Sequence, residues 1–440
     1  MVLDFPCGRE VLSLRLPDDA LVLRSSFPAP VADPEAAVRT AAERPVDGPP
    51  LAEALRRRRP GRVVLAVPDI TRPVGFPSFL PGLLDDIARA GVPADDVTIL
   101  IATGQHRRST PEERLEMFGP RVVGRARILD HDGADGARLA LLPGRSWSGR
   151  PMRVNRDFRD AGFRLIVGLV EPHFMAGFSG GRKMVCPGLS CLETLRRFHG
   201  VEFIGHPRAR NGCLRGNPLH EEALSVARAV GVDFSLNVVQ DGDRRLVAAY
   251  AGGLEPSHLA ACEFVRRGAC PAVDGAADAV VTSCGGYPLD ATFYQCVKAF
   301  ASALPAVRRG GAVIACGGTA EGVGGREYAA AMREYAGRWR AYAARLRGGA
   351  DFVKDQWQIQ KHVEALEHLG EGGMGFASTG LPRAALEGLW VTPLAGAGEA
   401  AAEALQREID RLAAGGARLV AIPEGPYCAP VPAAGAEDSR

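Results

Sequence analysis

A chain of 440 residues, 46% of them hydrophobic, carries enough apolar surface for two sizeable cores. Its 53 basic and 51 acidic residues leave a formal charge of +2, so no global field draws it onto nucleic acid or an anionic membrane, and a small-molecule partner fits better. Ten cysteines without a C-x-x-C pair, several in apolar contexts (Cys262, Cys284, Cys316), point to reduced thiols and a cytoplasmic setting.

The N-terminal stretch MVLDFPCGREVL places acidic residues early and has no long apolar run, so it reads as neither a secretion signal nor an anchor, and no membrane span is expected. Strands are predicted over 62–67, 97–102 and 165–170, each followed by a polar or Gly-rich loop and then a helical pattern. Two helix starts carry a hydroxyl followed three residues later by glutamate, Thr110 with Glu113 and Ser190 with Glu193. The second of these helices runs to His199 and stops at Gly200, and Asn217-Pro218 marks another start. Strands over 279–283 and 312–316 repeat the pattern after an Ala- and Gly-rich stretch around 268–277. The rhythm predicts two α/β lobes with mainly parallel sheets, residues 1–272 and 273–428, with 429–440 as a flexible tail.

Ligands gather at the carboxyl ends of strands in such sheets. Four loops there hold reactive side chains: Asp69 to Pro73, Ala102 to Arg107, Glu171 to Lys183, and Cys284 to Lys298. Of nine histidines, His106 and His173 fall directly beyond predicted strands, a first hint of acid/base chemistry. The run from Glu171 to Lys183 is the most informative. Its glycines Gly177, Gly180 and Gly181, with Ser179, let backbone amides approach a phosphate, and Lys183 offers a charge or a nucleophilic amine. The spacing is not that of a Walker loop, and Met184 follows the lysine. His199 carries an imidazole able to bind a metal, but a lone histidine makes no protein-only metal site, so a cofactor must bring the other ligands. Its bland alternative is a charged residue at a helix end.

Together the D-x-T-R-P motif at Asp69 to Pro73, A-T-G-x-H-R at Ala102 to Arg107, the P-H-x-x-A-G-F-S-G-G-x-K run and His199 resemble the nickel-pincer lactate racemase family over nearly the whole chain. The resemblance implies a racemase or epimerase of a 2-hydroxy acid that works by reversible hydride transfer through a 2-keto acid. It implies a nickel-pincer nucleotide as cofactor, a pyridinium mononucleotide with two thioacid arms, together with the maturation proteins that build it. The resemblance also makes 1–272 the N-terminal cofactor-binding lobe and 273–428 the C-terminal lobe, with the active site in the cleft between them. Lys183 becomes the covalent tether and His199 the fourth ligand of a square-planar nickel. His106 and His173 become the paired acid/base residues. Arg72, Gln295 and Lys298 hold the substrate carboxylate. Tyr294, Phe174 and Met175 shape the choice of hydroxy acid. Trp357 matches a further active-site position, with a core or lobe-interface aromatic as its alternative, and Asp69 orients either a neighbouring histidine or Arg72. Substrates of the family run from lactate to sugar acids. Two rival readings are a cofactor-binding protein without turnover, which the histidine pair argues against, and a nicotinamide-dependent dehydrogenase, which lacks a G-x-G-x-x-G at a strand-helix junction.

Overall fold

Six consecutive apolar residues, Val63–Pro68, form a strand buried on both faces, the signature of a central parallel strand. In the computed structural model, which describes residues 1–349, 351–395 and 399–433, this strand pairs in parallel with Val97–Ala102 on one side and Phe163–Leu169 on the other. Arg127–Asp130 and Phe234–Gln240 extend the sheet outward, and Leu246–Gly252 closes it as an antiparallel edge. The chain leaves Val63–Pro68 toward one neighbour and later returns to its other side. The loops after Val63–Pro68 and Phe163–Leu169 therefore diverge at a topological switch point, where such sheets bind ligands.

A second sheet has Ala277–Ser283 at its centre, flanked in parallel by Val307–Gly317 and Leu419–Ile422, with Met374–Ser378 and Thr392–Pro393 beyond. Its far edge is the two-residue strand Leu21–Val22, paired to Val420 and Ala421. The hairpin of Val2–Cys7 and Glu10–Arg15 packs Phe5, Leu12 and Leu14 against Val281, Ile314 and Leu405 of the same core. Two α/β units with mainly parallel sheets are thus the fold class expected from the strand rhythm.

The unit limits differ from the expected ones. One unit comprises Phe27–Phe198 and Arg208–Arg267; the other comprises Met1–Ser26, His199–Pro207 and Gly268–Arg440. The N-terminal residues leave the 1–272 lobe because Leu21–Val22 and the hairpin find their hydrogen bonds and apolar partners in the C-terminal sheet. The expected tail at 429–440 is also corrected. Val431–Pro432 is a strand paired to Ala272–Val273, with the Ala429 amide bonded to the carbonyl of Ala269, while residues 434–440 lie outside the described residues.

The capping box at Thr110 forms as the sequence predicts: the Thr110 hydroxyl accepts from the Glu113 amide and the Glu113 carboxylate accepts from the Thr110 amide. That at Ser190 does not. The helix is Leu192–Phe198, and the Ser190 hydroxyl donates instead to the carbonyl of Val185 at 3.1 Å. Asn217 caps Pro218–Val230 by accepting from the Leu219 amide.

Candidate functional site

Just past Val63–Pro68 the carboxylate of Asp69 is buried and bonded twice. Its Oδ2 lies 2.5 Å from His106 Nδ1, and Oδ1 accepts from the Thr71 hydroxyl at 2.6 Å. Burial pushes this carboxyl up, yet the hydrogen bond and charge of His106, the Thr71 hydroxyl and the charge of Arg72 outweigh it and hold Asp69 below the usual carboxylate range. An ionised Asp69 only accepts, so His106 donates from Nδ1, and in its neutral form the ring has its lone pair on Nε2. The ring is exposed, and its loop is pinned by the Thr103 hydroxyl on the carbonyl of His131 and by the Gly104 amide on that of Gly188. Of the two partners expected for Asp69, His106 is the one it bonds. Arg72 faces Glu171 instead, Nε to Oε1 at 3.3 Å, an ion pair between the two loops of the switch point.

His173 begins a short hairpin in which Pro172–His173 pairs with Gly177–Phe178. Its Nδ1 accepts from the amides of Met175 and Ala176, both at 3.2 Å, so the neutral ring carries its hydrogen on Nε2. Phe174 and Met175 are buried, and the Phe174 ring stacks on His173. Gly177 has φ +78, and a Cβ there would stand 2.1 Å from the carbonyl oxygen of Cys213. Gly177→Ala is therefore expected to destabilise this unit by about 2–4 kcal/mol through backbone strain and the forced shift. Urea unfolding of the two proteins checks it, and an unchanged midpoint would mean that the Cys213 segment yields freely.

The glycine loop differs from the phosphate cradle expected of it. The Ser179 amide bonds the carbonyl of Glu171 and the Gly181 amide bonds Asn237 Oδ1 at 3.0 Å, so both donors are spent inside the protein. Gly180 and Gly181 are glycines because a Cβ would strike Val170 and the His258 ring. The Ser179 hydroxyl ties the loop to the carbonyl of Leu169 at 2.7 Å. Lys183 sits on the short 3-10 helix Gly181–Met184, half-buried between buried Arg182 and Met184. Two residues of this neighbourhood carried no role in the sequence reading. Arg182 occupies the variable position of the motif, and His258 lies on the distant helix Leu254–Ala269, where nothing in the local pattern singles it out.

The other unit holds the remaining candidates. His199 follows the helix Leu192–Phe198, and its ring lies 4.4 Å from that of Trp357, tilted by 33°. Trp357 is buried and donates from its indole nitrogen to the Tyr294 hydroxyl at 3.0 Å. Tyr294, Gln295 and Lys298 share one side of the helix Phe293–Ala303 by their spacing of three and four. The side-chain oxygen of Gln295 is buried and accepts no hydrogen bond among the described residues. The structure thus joins Asp69 to His106, and Trp357 to both His199 and Tyr294.

The family models described as the lactate racemase N-terminal and C-terminal domains match residues 7–212 and 273–425. The lactate racemase of Thermoanaerobacterium thermosaccharolyticum is 37% identical over 317 residues, 71% of this chain and 73% of that protein. That of Lactiplantibacillus plantarum is 32% identical over 71% of this chain and 74% of that protein. The solved apoprotein of the Thermoanaerobacterium enzyme superposes with a TM-score of 0.87 at 30% identity, covering 98% of this chain and 100% of that one. A Thermotoga maritima protein at 18% identity, covering 87% of this chain and 97% of its own, shares the fold with a TM-score of 0.62. With both domain matches in order along it and relatives of this identity, the chain belongs to the lactate racemase family of isomerases.

Proposed function

We propose that this protein interconverts the enantiomers of a small 2-hydroxy acid, lactate being the first to test, with a nickel-pincer nucleotide attached through Lys183. The observation that carries the reading is the Asp69–His106 pair at 2.5 Å, which leaves an imidazole lone pair exposed at a switch point of the sheet. The hydroxyl proton of a 2-hydroxy acid can pass to such a base as the C2 hydrogen leaves with its electron pair and the carbonyl forms, whereas removal of the C2 hydrogen as a proton is far beyond histidine alone. Bound cofactor supplies an acceptor for that C2 hydrogen and its electron pair.

The residues present suit that cofactor. Within the turn Gly181–Met184 only Lys183 is not buried, so the amine is within reach while the backbone is held. One amine and the imidazole of His199 are too few donors for a protein-only metal site and suit a metal that arrives with its own sulfur ligands. His106 takes the hydroxyl proton at Nε2. His173 presents an N–H from Nε2, a donor suited to steadying the carbonyl oxygen of a planar keto acid. Arg72, with Gln295 and Lys298, binds the carboxylate, which replaces Glu171 as the partner of Arg72.

Lactate deuterated at C2, turned over in ordinary water by the loaded enzyme, is expected to give the opposite enantiomer with most of its deuterium kept. Early loss of the label to solvent would exclude hydride transfer. Mass spectrometry of the same protein should place a nucleotide-derived adduct on the peptide containing Lys183. Nine of the ten cysteines are buried, which supports a reducing cytoplasmic setting, with the enzymes that build and load the cofactor as partners. Among the described residues no helix is long and apolar enough to cross a membrane.

A further inference from the structure

Next to Lys183 lies a buried charge, the guanidinium of Arg182. The Arg182 side chain is 1% exposed, yet among the described residues no carboxylate pairs with it. Its contacts are carbonyl oxygens and one imidazole. Nη1 donates to Phe178 O at 2.9 Å and lies 2.9 Å from His258 Nε2, a nitrogen that also lies 2.9 Å from Ser179 O, and Nη2 donates to Ala176 O at 2.7 Å. Longer contacts reach Ser179 O and Gly180 O, while Nε is buried without a partner. A buried guanidinium held only by dipoles is costly, because an isolated charge loses far more solvation than carbonyls return. Such a cost is usually found where a site needs it.

The surroundings leave the charge standing. The strands Val63–Pro68, Phe163–Leu169 and Phe234–Gln240 carry no acidic residue. The helix Pro218–Val230 brings His220 and Glu222, and the Glu222 carboxylate is already bonded to the Ser148 amide and hydroxyl. The helix Leu254–Ala269 brings His258 and Cys262, and Cys186 follows the turn. Burial, and after it the charge of Arg182, keeps both His220 and His258 neutral: the first pushed down to about 3, the second well below the usual imidazole range. Glu221 and Glu255, on the same two helices, are taken by the Gly216 amide and by Arg228.

We propose that Arg182 is a positioning residue for Lys183, which clamps the loop from Ala176 to Gly180 through its carbonyls and whose uncompensated charge shifts the neighbouring amine toward its neutral form. The two residues are adjacent on the 3-10 turn Gly181–Met184. An amine is nucleophilic only when unprotonated, so a fixed positive charge beside it favours attachment. The inference rests on Lys183 being the attachment residue.

The test uses the full-length chain without cofactor. Competitive acetylation across pH, read by mass spectrometry on the peptide containing Lys183, gives the pH midpoint of that amine. Arg182→Lys keeps the charge and should leave the midpoint near that of the parent. Arg182→Gln removes the charge, and Cys262→Asp supplies a counter-charge while the clamp stays in place. Both should raise the midpoint by roughly one pH unit, a tenfold fall in the neutral fraction at fixed pH. If Arg182→Gln does not fold, Cys262→Asp decides alone. An unchanged midpoint in the charge-altering variants that fold overturns the inference. An adduct found on another residue would overturn the attachment reading instead, so the two failures are distinguishable.

Discussion

Replacing His106 with glutamine is expected to slow interconversion of the two lactate enantiomers by roughly 10²–10⁴-fold in both directions, the usual contribution of a positioned general base. Glutamine keeps the size and polarity of the side chain but cannot carry a proton at the position of Nε2. Both directions must fall together, because an isomerase cannot alter the equilibrium between its substrates. Asp69→Asn is the companion test. The buried carboxylate holds the His106 tautomer through its 2.5 Å contact and is fixed in turn by Thr71. An amide in its place presents an N–H to Nδ1 as readily as an oxygen, and a ring that accepts at Nδ1 has its hydrogen on Nε2, where the lone pair is needed. A loss of about 10²-fold or more follows, without loss of the Lys183 adduct. Near-parental rates in both variants would move the proton-transfer role away from this pair and leave His173 as the residue to examine.

The second large effect is on stability in mild acid. Burial holds His131, His220 and His258 below the usual imidazole range in the unit built on Phe27–Phe198 and Arg208–Arg267, with His220 at about 3. In the other unit His362 is pushed down to about 4 by burial between Phe293 and Trp390. All four are neutral in the folded chain and protonate near pH 6.5 once unfolded. The stability they support is therefore complete above about pH 6.5 and is lost as the pH falls toward the folded values, since only the unfolded state takes up protons in that window. Each group contributes a slope of about 1.4 kcal/mol per pH unit. The unit bearing Asp69 and Lys183, which holds His131, His220 and His258, should therefore lose stability below pH 6 more steeply than the other. Thermal unfolding followed from pH 8 to pH 5 should show an early transition that moves down steeply and a later one that moves less. Transitions flat with pH over that range would mean that the buried rings are protonated in the folded protein.

Much of this architecture was legible from residue pattern because the pattern was made by burial. Val63–Pro68 reads as a central strand since both of its faces must be apolar, and the loop after it was found by following the strand to its end. Thr110 was legible because a capping box is completed within four residues. What stayed hidden depends on partners far away in sequence. Two residues, Leu21–Val22, show no periodicity at all, and only their pairing with Val420 and Ala421 makes them a strand. Ser190 matched a local motif, yet a nearby carbonyl took its hydroxyl. The glycine loop was recognisable as special, but its amides turned out to serve Glu171 and Asn237, and His258 contacts it from 79 residues beyond Ser179.

The edge strand at Leu21–Val22 also sets an order of events during synthesis. Residues 1–26 leave the ribosome long before the strand that completes their sheet, Leu419–Ile422. The unit built on Phe27–Phe198 and Arg208–Arg267 has all of its strands once residue 267 is clear of the exit tunnel, and it can fold while translation continues. The N-terminal hairpin has no such option. For most of translation Phe5, Leu12 and Leu14 lack the apolar surface that later covers them, which makes them natural clients for a chaperone that meets nascent chains. A stop codon placed before residue 419 should therefore release a chain whose inner unit is folded and whose first residues remain sticky.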